Sequence, residues 1–326
     1  MKYYINPCTD PHFNLAFEEY LFENATDDIF LLWRNNKSVI IGKNQNAYAE
    51  VDLQYAKRNN ISVVRRITGG GAVFHDIGNV NYTFISPRLN EQKTFKYFSV
   101  PIIEALKSMG VTASFSGRND LVSSDGRKIS GTARCEKNGR VMHHGTLLYC
   151  ADMTKLKDVL LVNREKIKSK GIKSVSSRVV NIIDLMENKQ SVESFMEQVE
   201  KFVVKLYNCI PLDITDMQLD SIKKLQKEKY DTDKWNLSSN LPFEKSKTEY
   251  FPFGLVSVKH TVKDGKISGI CFEGDFFGSE DVAQLEQKML GIEYSEQCVE
   301  EFLNSQNIGR YITGAQTENI ISLIFN

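Results

Sequence analysis

Three consecutive glycines in the segment RRITGGGAVFHD, residues 65 to 76, constrain the fold of this chain more than any other feature. Glycine loses more conformational entropy on folding than any other residue, so such a run indicates backbone that must approach something closely. The flanking segments, ISVVRR and NVNYTFIS, predict strands, the second with a period of two. The glycines therefore connect two strands, whereas the phosphate loop of P-loop NTPases joins a strand to a helix and ends in Gly-Lys-Ser/Thr.

Bare backbone next to cations suits an anionic ligand. Main-chain N–H groups without side chains can approach a phosphate or carboxylate, and arginine adds a two-pronged donor. Arg65 and Arg66 end a strand in which successive side chains face opposite ways, so one can reach the site while the other serves structure or solvent. A plain glycine-rich hairpin with two surface arginines explains the same residues, and both interpretations stand at this point.

Helical and strand patterns fill the first part of the chain. A helix is predicted over FNLAFEEYLFENA, with Asp10 or Asn14 as its cap, followed by two short buried strands, IFLLWRN and SVIIGKNQN. Another helix is predicted from about Asp52 to Asn59, and FKYFSVPIIEALKSMG predicts one that ends at Gly110.

The second part predicts two hairpins and a separate small unit. Asn138-Gly139 and Asp264-Gly265 are dipeptides that favour tight hairpin turns. Helical patterns dominate from Met153 to about Tyr207, and the polar stretch from 236 to 250 reads as a linker. Because 326 residues exceed what one core usually serves, we expect a large unit and a smaller α+β unit.

Composition excludes several classes of function. Lys plus Arg and Asp plus Glu both number 41, which argues against bulk nucleic-acid binding. No apolar stretch approaches the roughly 18 residues of a membrane-spanning helix, and the N-terminus does not resemble a signal peptide. The six cysteines form no CxxC pair, so neither a zinc site nor a disulfide framework is indicated. We expect a cytoplasmic globular protein.

Five ordered motifs identify a family. The segment RRITGGGAVFHD resembles the signature of the lipoate–protein ligases, and GRNDLV, DGRKISGTA, HHGTLL and KGIKSVSSRVVN resemble that family's further motifs. They occur in the family's order with near-expected gaps, and the likeness covers essentially the whole chain. It implies an α/β catalytic domain, residues 1–246, with a mixed sheet like that of biotin–protein ligases and class II tRNA synthetases. A small α+β accessory domain, residues 247–326, would follow.

The resemblance also implies the chemistry. Lipoate and ATP would form lipoyl-AMP and pyrophosphate, and a carrier lysine would then take the lipoyl group and release AMP. The implied carriers are apo lipoyl domains of 2-oxoacid dehydrogenase acyltransferase subunits and the glycine-cleavage H protein. We expect a monomer that binds neither nucleic acid nor membrane.

Site residues are carried over from the matching motifs. Lys128 matches the family's central lysine, which contacts the activated carboxyl oxygen and the α-phosphate of the adenylate. The residues that match the ATP and adenylate site are Arg66, Gly70, Gly71, Ala72, Val73 and Phe74, although Phe74 is also explained as plain core. The basic segment from 164 to 178 matches a mobile loop that closes over the ligand, with Gly171 as hinge and Val175 as an apolar contact.

Other polar residues carry weaker expectations. Asn119 and Asp120 provide oxygen atoms for Mg²⁺, which keeps most of its waters on nucleotide sites. His75 and Asp76 are neighbours on a strand and face opposite ways, so we expect structural roles rather than an acid–base pair. His143 and His144 also face opposite ways, which disfavours metal ligation. FLLW and NYTFI are expected to line an apolar acyl pocket.

Four rival functions explain less of the sequence. The basic glycine motif of biotin–protein ligases is absent. An ATP-independent octanoyl- or lipoyl-transferase would form a cysteine thioester, and Cys150 is its candidate nucleophile, but no cation flanks it in TLLYCADM. A non-catalytic binder predicts a damaged site, yet Arg66, the glycines and Lys128 are all present. RNA binding through the basic loop lacks the aromatic residues that such surfaces use.

Overall fold

The computed structural model describes residues 1–152, 154, 158–161, 179–237 and 243–325. The strands in these ranges form sheets of eight, three and three strands. Their bounds are β1 Lys2–Ile5, β2 Ile29–Arg34, β3 Ser38–Ile41, β4 Ser62–Arg65, β5 Val73–His75, β6 Asn79–Ser86, β7 Ala113–Ser116, β8 Asp120–Ser123, β9 Lys128–Lys137, β10 Arg140–Leu148, β11 Ile210–Pro211, β12 Lys245–Phe251, β13 Gly254–Lys263 and β14 Lys266–Gly274.

Helices cover the sheets from several sides. The described α-helices are Pro11–Asn24, Ala47–Glu50, Leu53–Arg58, Phe95–Ser108, Val192–Tyr207, Asp216–Leu225, Asp233–Asn236, Val282–Met289, Glu296–Gln306 and Thr317–Phe325. Short 3₁₀ turns lie at Ile182–Leu185 and Ile308–Arg310, and a π-helical turn at Gln226–Tyr230. In the described part of the chain, no helix combines the length and the apolar character needed to cross a bilayer.

The large sheet has the order β11-β1-β2-β6-β10-β9-β8-β7 and mixes parallel with antiparallel pairs. Its two faces are buried in different cores. Helices Phe95–Ser108 and Val192–Tyr207 cover one face, and helix Pro11–Asn24 packs on the other together with β3 and β4. Burial on both faces explains why every residue of β6 is buried.

A small sheet, β4-β3-β5, carries the glycine run. Strand β3 pairs in parallel with β4 and antiparallel with β5, so the glycines link two strands that flank the same central strand. The run therefore passes the C-terminal end of β3, next to the large sheet.

The C-terminal unit consists of β12-β13-β14 and the last three helices, with its own apolar core. Its loop after β14 rests on the glycine run. A Cβ atom added to Gly69 would lie 2.4 Å from the carbonyl oxygen of Phe276, and one on Gly70 would lie 3.1 Å from the Phe277 ring. Lys43 also pairs with Asp281 at 2.8 Å. The C-terminal unit thus contacts the glycine run directly.

Most local predictions are confirmed, and the mixed α/β class with a small α+β unit is confirmed as well. Asp10 caps the first helix by accepting from the His12 N–H, whereas Asn14 lies inside the helix. Both hairpins form, with left-handed backbone at Asn138 and Asp264.

The linker prediction for 236–250 is wrong where the structure describes it. Residues from Lys245 onward form β12, which pairs antiparallel with β13, and 238–242 lie outside the described residues. Strand β12 lies at the edge of its sheet, where polar and charged residues are tolerated. Its composition therefore resembles that of a linker.

Candidate active site

A cavity of about 130 Å³ lies between the large sheet and the small β4-β3-β5 sheet. Its apolar lining comes from both sheets and the first helix, and consists of Leu15, Trp33, Ile40, Ala72, Val73 and Ala133. Its polar lining consists of Arg66, His75, Asn81, Asn119, Lys128, Thr132, His144 and Thr146. Trp33 and Asn81 come from FLLW and from the strand NVNYTFIS, so both segments contribute to the lining as expected. The cavity suits a small ligand with an apolar body and an anionic end.

The glycine run divides its contacts between this cavity and the C-terminal unit. Gly70 adopts φ +92°, a left-handed conformation that favours glycine. Gly69 and Gly70 are bare because Phe276 and Phe277 approach them closely. Gly71 lines the cavity, and a Cβ added there would meet nothing nearer than 4.0 Å.

The two arginines have separate roles, as strand alternation predicts. Arg65 is buried and its guanidinium donates to backbone carbonyls, including those of Gly42 and Gln45, at 3.0 and 2.6 Å. It does not line the cavity, so Arg65 is structural. Arg66 lines the cavity, and its Nη2 donates to the carbonyls of Gly69 and Gly71 at 2.7 and 2.9 Å. Arg66 thus stabilises the conformation of the glycine run from the side of the cavity.

The pKa of each of these arginines is lowered to about 10 by burial, so both remain cationic at neutral pH. A buried guanidinium needs acceptors for its N–H groups, and carbonyl oxygens supply them here. The positive charge of Arg66 consequently lies directly behind the glycine run.

Ala72, Val73 and Phe74 continue from the glycines into β5. Ala72 and Val73 line the cavity. Phe74 points the other way, into an apolar cluster that includes Val39 and Ile41. The structure therefore brings Gly71, Ala72 and Val73 to the cavity, and places Phe74 in the core.

Lys128 begins β9 and lies at the partly exposed end of the cavity. Its Nζ is 2.7 Å from Asp120 Oδ1, and its side chain is 33% exposed. The ammonium also lies against Gly131, where an added Cβ would be 3.0 Å from Nζ. The neighbouring Asn119 lines the cavity and donates to the Thr132 carbonyl at 2.6 Å. The Lys128 ammonium thus reaches the cavity next to the backbone of Gly131, which no side chain covers.

His144 links the cavity to a buried carboxylate. Its Nδ1 lies 2.9 Å from Glu18 Oε1, and its Nε2 lies 2.9 Å from Thr68 Oγ1. Arg66 Nε donates to the same Thr68 oxygen at 2.9 Å. A chain of hydrogen bonds, Arg66–Thr68–His144–Glu18, therefore connects the buried guanidinium with the buried carboxyl group. Sequence analysis missed Glu18 and Thr68, because nothing local distinguishes a functional glutamate on a helix.

His75 and Asp76 separate as predicted, and only His75 lines the cavity. His75 is 3% exposed and lines the cavity. Asp76 lies outside the cavity and accepts from the backbone N–H groups of Gly78 and Asp152. His143 faces the opposite side of the sheet from His144, where it stacks on Phe98. Each pair, His75–Asp76 and His143–His144, therefore places only one of its two residues at the cavity.

Several expected residues lie away from the cavity or outside the described residues. Gly171 and Val175 belong to 162–178, which the structure does not describe. Cys150 does not line the cavity, and burial together with Asp76 and Glu193 raises the pKa of its thiol. In the described ranges, no three His, Cys, Asp or Glu side chains cluster in a way that would hold a metal ion. A metal ion at this site would therefore depend on oxygen atoms from the bound substrate.

An α/β unit with this cavity, a lysine at its open end and an arginine-supported glycine run has the features of a carboxylate-activating ligase. Comparison with known proteins specifies the family. Residues 10–203 match the family model described as lipoyl protein ligase A/B catalytic domain, and residues 240–324 match that of the bacterial lipoate protein ligase C-terminus. The chain belongs to the lipoate–protein ligases, a family of ATP-dependent enzymes.

Individual relatives agree along the full length. The chain is 39% identical to lipoate–protein ligase 1 of Staphylococcus aureus over 98% of both chains. It is 37% identical to lipoate–protein ligase LplJ of Bacillus subtilis over 97% of both.

Solved structures agree as well. The structure of LipL1 of P. falciparum in complex with lipoate superimposes with a TM-score of 0.78, at 26% identity and over 98% of this chain and 97% of that one. A lipoate-protein ligase A bound with ATP matches with a TM-score of 0.62 at 25% identity, over 73% of this chain and 99% of that one.

Proposed function

We propose that Lys128 is the centre at which this enzyme joins lipoate to AMP and then passes the lipoyl group to a carrier lysine. The single observation that supports this most is the position of the Lys128 ammonium. It stands at the partly exposed end of the cavity, beside bare backbone at Gly131, and the Gly71–Val73 segment lines the same cavity. A carboxylate whose apolar tail fills the cavity would meet its positive charge there.

In the first half-reaction a carboxylate oxygen of lipoate attacks the α-phosphorus of ATP, and the bond to the pyrophosphate oxygen breaks. Two anionic groups must approach each other, so the site has to supply positive charge at the meeting point. Lys128 remains protonated in this mechanism and stabilises the charge that develops on the α-phosphate. Before substrate binds, its ammonium pairs with Asp120.

Arg66 acts through the glycine run. Four of its N–H donors are directed at protein oxygens, among them the carbonyls of Gly69 and Gly71. We therefore assign it a positioning role in the ATP and adenylate site, next to Gly70, Gly71, Ala72 and Val73. Phe74 contributes the packing that anchors β5 to β3.

Asp120 is the residue that would hold Mg²⁺ supplied with ATP. Magnesium favours oxygen ligands and is commonly held by one or two carboxylates together with substrate phosphates and waters. The described site fits this pattern, since it offers one carboxylate, that of Asp120, next to the cavity-lining Lys128. When bound, the ion would neutralise phosphate charge.

In the second half-reaction a carrier lysine attacks the carbonyl carbon of lipoyl-AMP, an amide forms and AMP leaves. We propose that the carriers are apo lipoyl domains of 2-oxoacid dehydrogenase acyltransferase subunits and the glycine-cleavage H protein. A solved ligase of Thermoplasma acidophilum is described as bipartite and together with its E2 lipoyl domain, and it matches this chain with a TM-score of 0.64 at 28% identity. The segment with Gly171 and Val175 would close over the adenylate to exclude water.

The proposal extends to the organisation of the protein. We infer a catalytic domain over 1–246 and an accessory domain over 247–326, although β12 already begins at Lys245. We also infer a cytoplasmic monomer.

The cysteine-dependent transferase finds less support. A thioester mechanism needs a thiolate near the acyl group. Cys150 lies outside the cavity, and burial together with the neighbouring carboxylates raises the pKa of its thiol. Replacing it, Cys150→Ser, should leave the transfer rate unchanged.

The test is transfer of lipoate to a purified apo lipoyl domain, followed by intact mass. We expect a mass gain of one lipoyl group that requires ATP and releases pyrophosphate. A gain from an acylated donor without ATP, lost in Cys150→Ser, would overturn the ligase mechanism in favour of the transferase.

A further inference from the structure

The cavity contains a polar feature that activation of a carboxylate does not use. Besides Lys128, the cavity is lined by His75 and Asn81. They are 3% and 2% exposed. Among the described residues, His75 Nε2 and Asn81 Nδ2 have no hydrogen-bond partner. Buried donors of this kind are rare in folded proteins, and each calls for an explanation.

A chain of buried asparagines determines which ring nitrogen of His75 carries the proton. Asn6 Nδ2 donates to Asn14 Oδ1 at 2.9 Å, and Asn14 Nδ2 donates to Asn35 Oδ1 at 2.9 Å. This leaves the Asn35 amide nitrogen facing His75 Nδ1 at 3.2 Å. Because an amide nitrogen can only donate, Nδ1 must accept, and the proton of the neutral ring lies on Nε2.

The ring also stays neutral. Burial, together with the charges of Arg66 and His144, lowers the pKa of His75 to about 3. His75 is therefore a neutral N–H donor at physiological pH rather than a cation or a base.

Asn81 supplies a second donor. Its Oδ1 accepts from Asn79 Nδ2 at 2.9 Å, and its amide nitrogen has no partner among the described residues. His75 and Asn81 thus each bring to the cavity an N–H group that lacks an acceptor.

Strand register places Asn81 at the far end of a ligand whose carboxylate lies near Lys128, and His75 packs against Trp33, the partner of Asn81 on β2. Gly131 on β9 donates its N–H to Thr146 Oγ1 on β10, and Thr146 stands opposite Asn81 on β6. Two strand intervals amount to roughly 10 Å. The ring of lipoate begins about 6 Å from its carboxyl carbon along five bonds of about 1.5 Å, and its sulfurs lie further out.

We propose that His75 Nε2–H and Asn81 Nδ2–H donate to the dithiolane sulfurs of lipoate and make the enzyme prefer lipoate over the sulfur-free octanoate. This inference rests on the proposed function. Divalent sulfur is a weak acceptor, so it satisfies these donors where a methylene group cannot. Octanoate has the same carbon chain and leaves both donors unpaired, which penalises its binding.

The test compares kcat/KM for lipoate and octanoate in ATP-dependent transfer. His75→Phe keeps an aromatic ring beside Trp33 and removes the donor. We expect it to lower the ratio of kcat/KM for lipoate to kcat/KM for octanoate about 10-fold, because it removes both the hydrogen bond to lipoate and the donor that octanoate leaves unpaired. His75→Gln, which restores an N–H donor, should recover most of the preference. Asn81→Leu should shift the ratio in the same direction as His75→Phe.

Equal losses of kcat/KM for both acids would show that His75 only supports the fold. Unchanged kcat/KM values for both acids would show that the donors are satisfied by water. Either result overturns the proposal. Calorimetric binding of the two free acids, without ATP, provides an independent reading. If the wild-type enzyme transfers neither acid, the proposed function fails, while the binding ratio in His75→Phe still decides the role of His75.

Discussion

Lys128 Nζ lies 2.7 Å from Asp120 Oδ1, at the partly exposed end of the cavity. The two residues come from neighbouring strands, β9 and β8, whose pairing has a register shift between Leu121 and Val122. This pairing places one positive and one negative group side by side at the cavity end. Substitutions at the two positions should therefore have different effects.

Lys128→Ala should reduce lipoate-dependent pyrophosphate release by about 10²- to 10³-fold, the usual loss when one group that stabilises transition-state charge is removed. The fold should persist, because a partly exposed ion pair contributes at most about 1 kcal/mol. Lys137→Ala is the matched control, since Lys137 lies on the same strand and pairs with Glu23 outside the cavity. Unchanged pyrophosphate release in Lys128→Ala would contradict the assignment.

Asp120→Asn should raise the Mg²⁺ concentration for half-maximal pyrophosphate release by about 10-fold, equivalent to about 1.4 kcal/mol. The amide keeps the shape of the side chain but loses the charge that attracts the ion. Asp125→Asn serves as control, because Asp125 lies in the same hairpin and pairs with Arg127. Equal Mg²⁺ requirements in the two variants would exclude Asp120 as a ligand.

Arg66→Lys and Arg65→Lys should both destabilise the protein by roughly 3 kcal/mol, because each leaves buried carbonyl groups without donors. Only Arg66→Lys should also raise the apparent KM for ATP, by about 10-fold, since Arg66 holds the glycine run and lines the cavity. Urea denaturation and initial rates at varied ATP separate the two effects. The positioning role fails if both variants show the same KM.

Gly69→Ala should disturb the contact with the C-terminal unit, because its Cβ would lie 2.4 Å from the Phe276 carbonyl. We expect faster proteolysis between the units and a lower Tm. Gly71→Ala has room for its methyl group, so its Tm should stay close to wild type while the methyl obstructs the nucleotide site and raises KM for ATP. A lower Tm in Gly71→Ala, with none in Gly69→Ala, would reverse the roles assigned to these two glycines.

Acid should destabilise the protein through His143. Burial holds the pKa of His143 well below 6.5, and in the described part of the chain neither ring nitrogen has a partner. The unfolded chain binds a proton there below about pH 6.5 and the folded chain does not, so stability falls as pH decreases, by up to about 1.4 kcal/mol per pH unit. Glu286 acts in the opposite direction, because burial raises its pKa to about 7 and the folded state retains that proton.

Only the difference between variants isolates the histidine. His143→Phe should flatten the dependence of stability on pH by up to about 1.4 kcal/mol per pH unit between pH 6 and 5, because phenylalanine does not titrate. Urea denaturation at pH 7, 6 and 5 measures the change. Parallel curves for wild type and His143→Phe would show that His143 is protonated in the folded state.

The sequence by itself determined the family, most of the strands and helices, and the segments that surround the cavity. These follow from local information: alternation in NVNYTFIS, turn dipeptides such as Asn138-Gly139, and motifs in a recognisable order. It also indicated that Arg65 and Arg66 must separate, because alternation of side chains is a property of any strand. It failed for β12, whose polar composition reflects its edge position.

Tertiary structure alone decided which polar groups meet. Glu18 and His144 are 126 positions apart, and their contact depends on helix Pro11–Asn24 packing on the large sheet. Phe277 reaches the glycine run only because the C-terminal unit folds back onto it. Similarly, the proton on His75 Nε2 follows from the buried amide chain that ends at Asn35. Such contacts arise from strand register and from packing between distant elements, and neither leaves a local pattern along the chain.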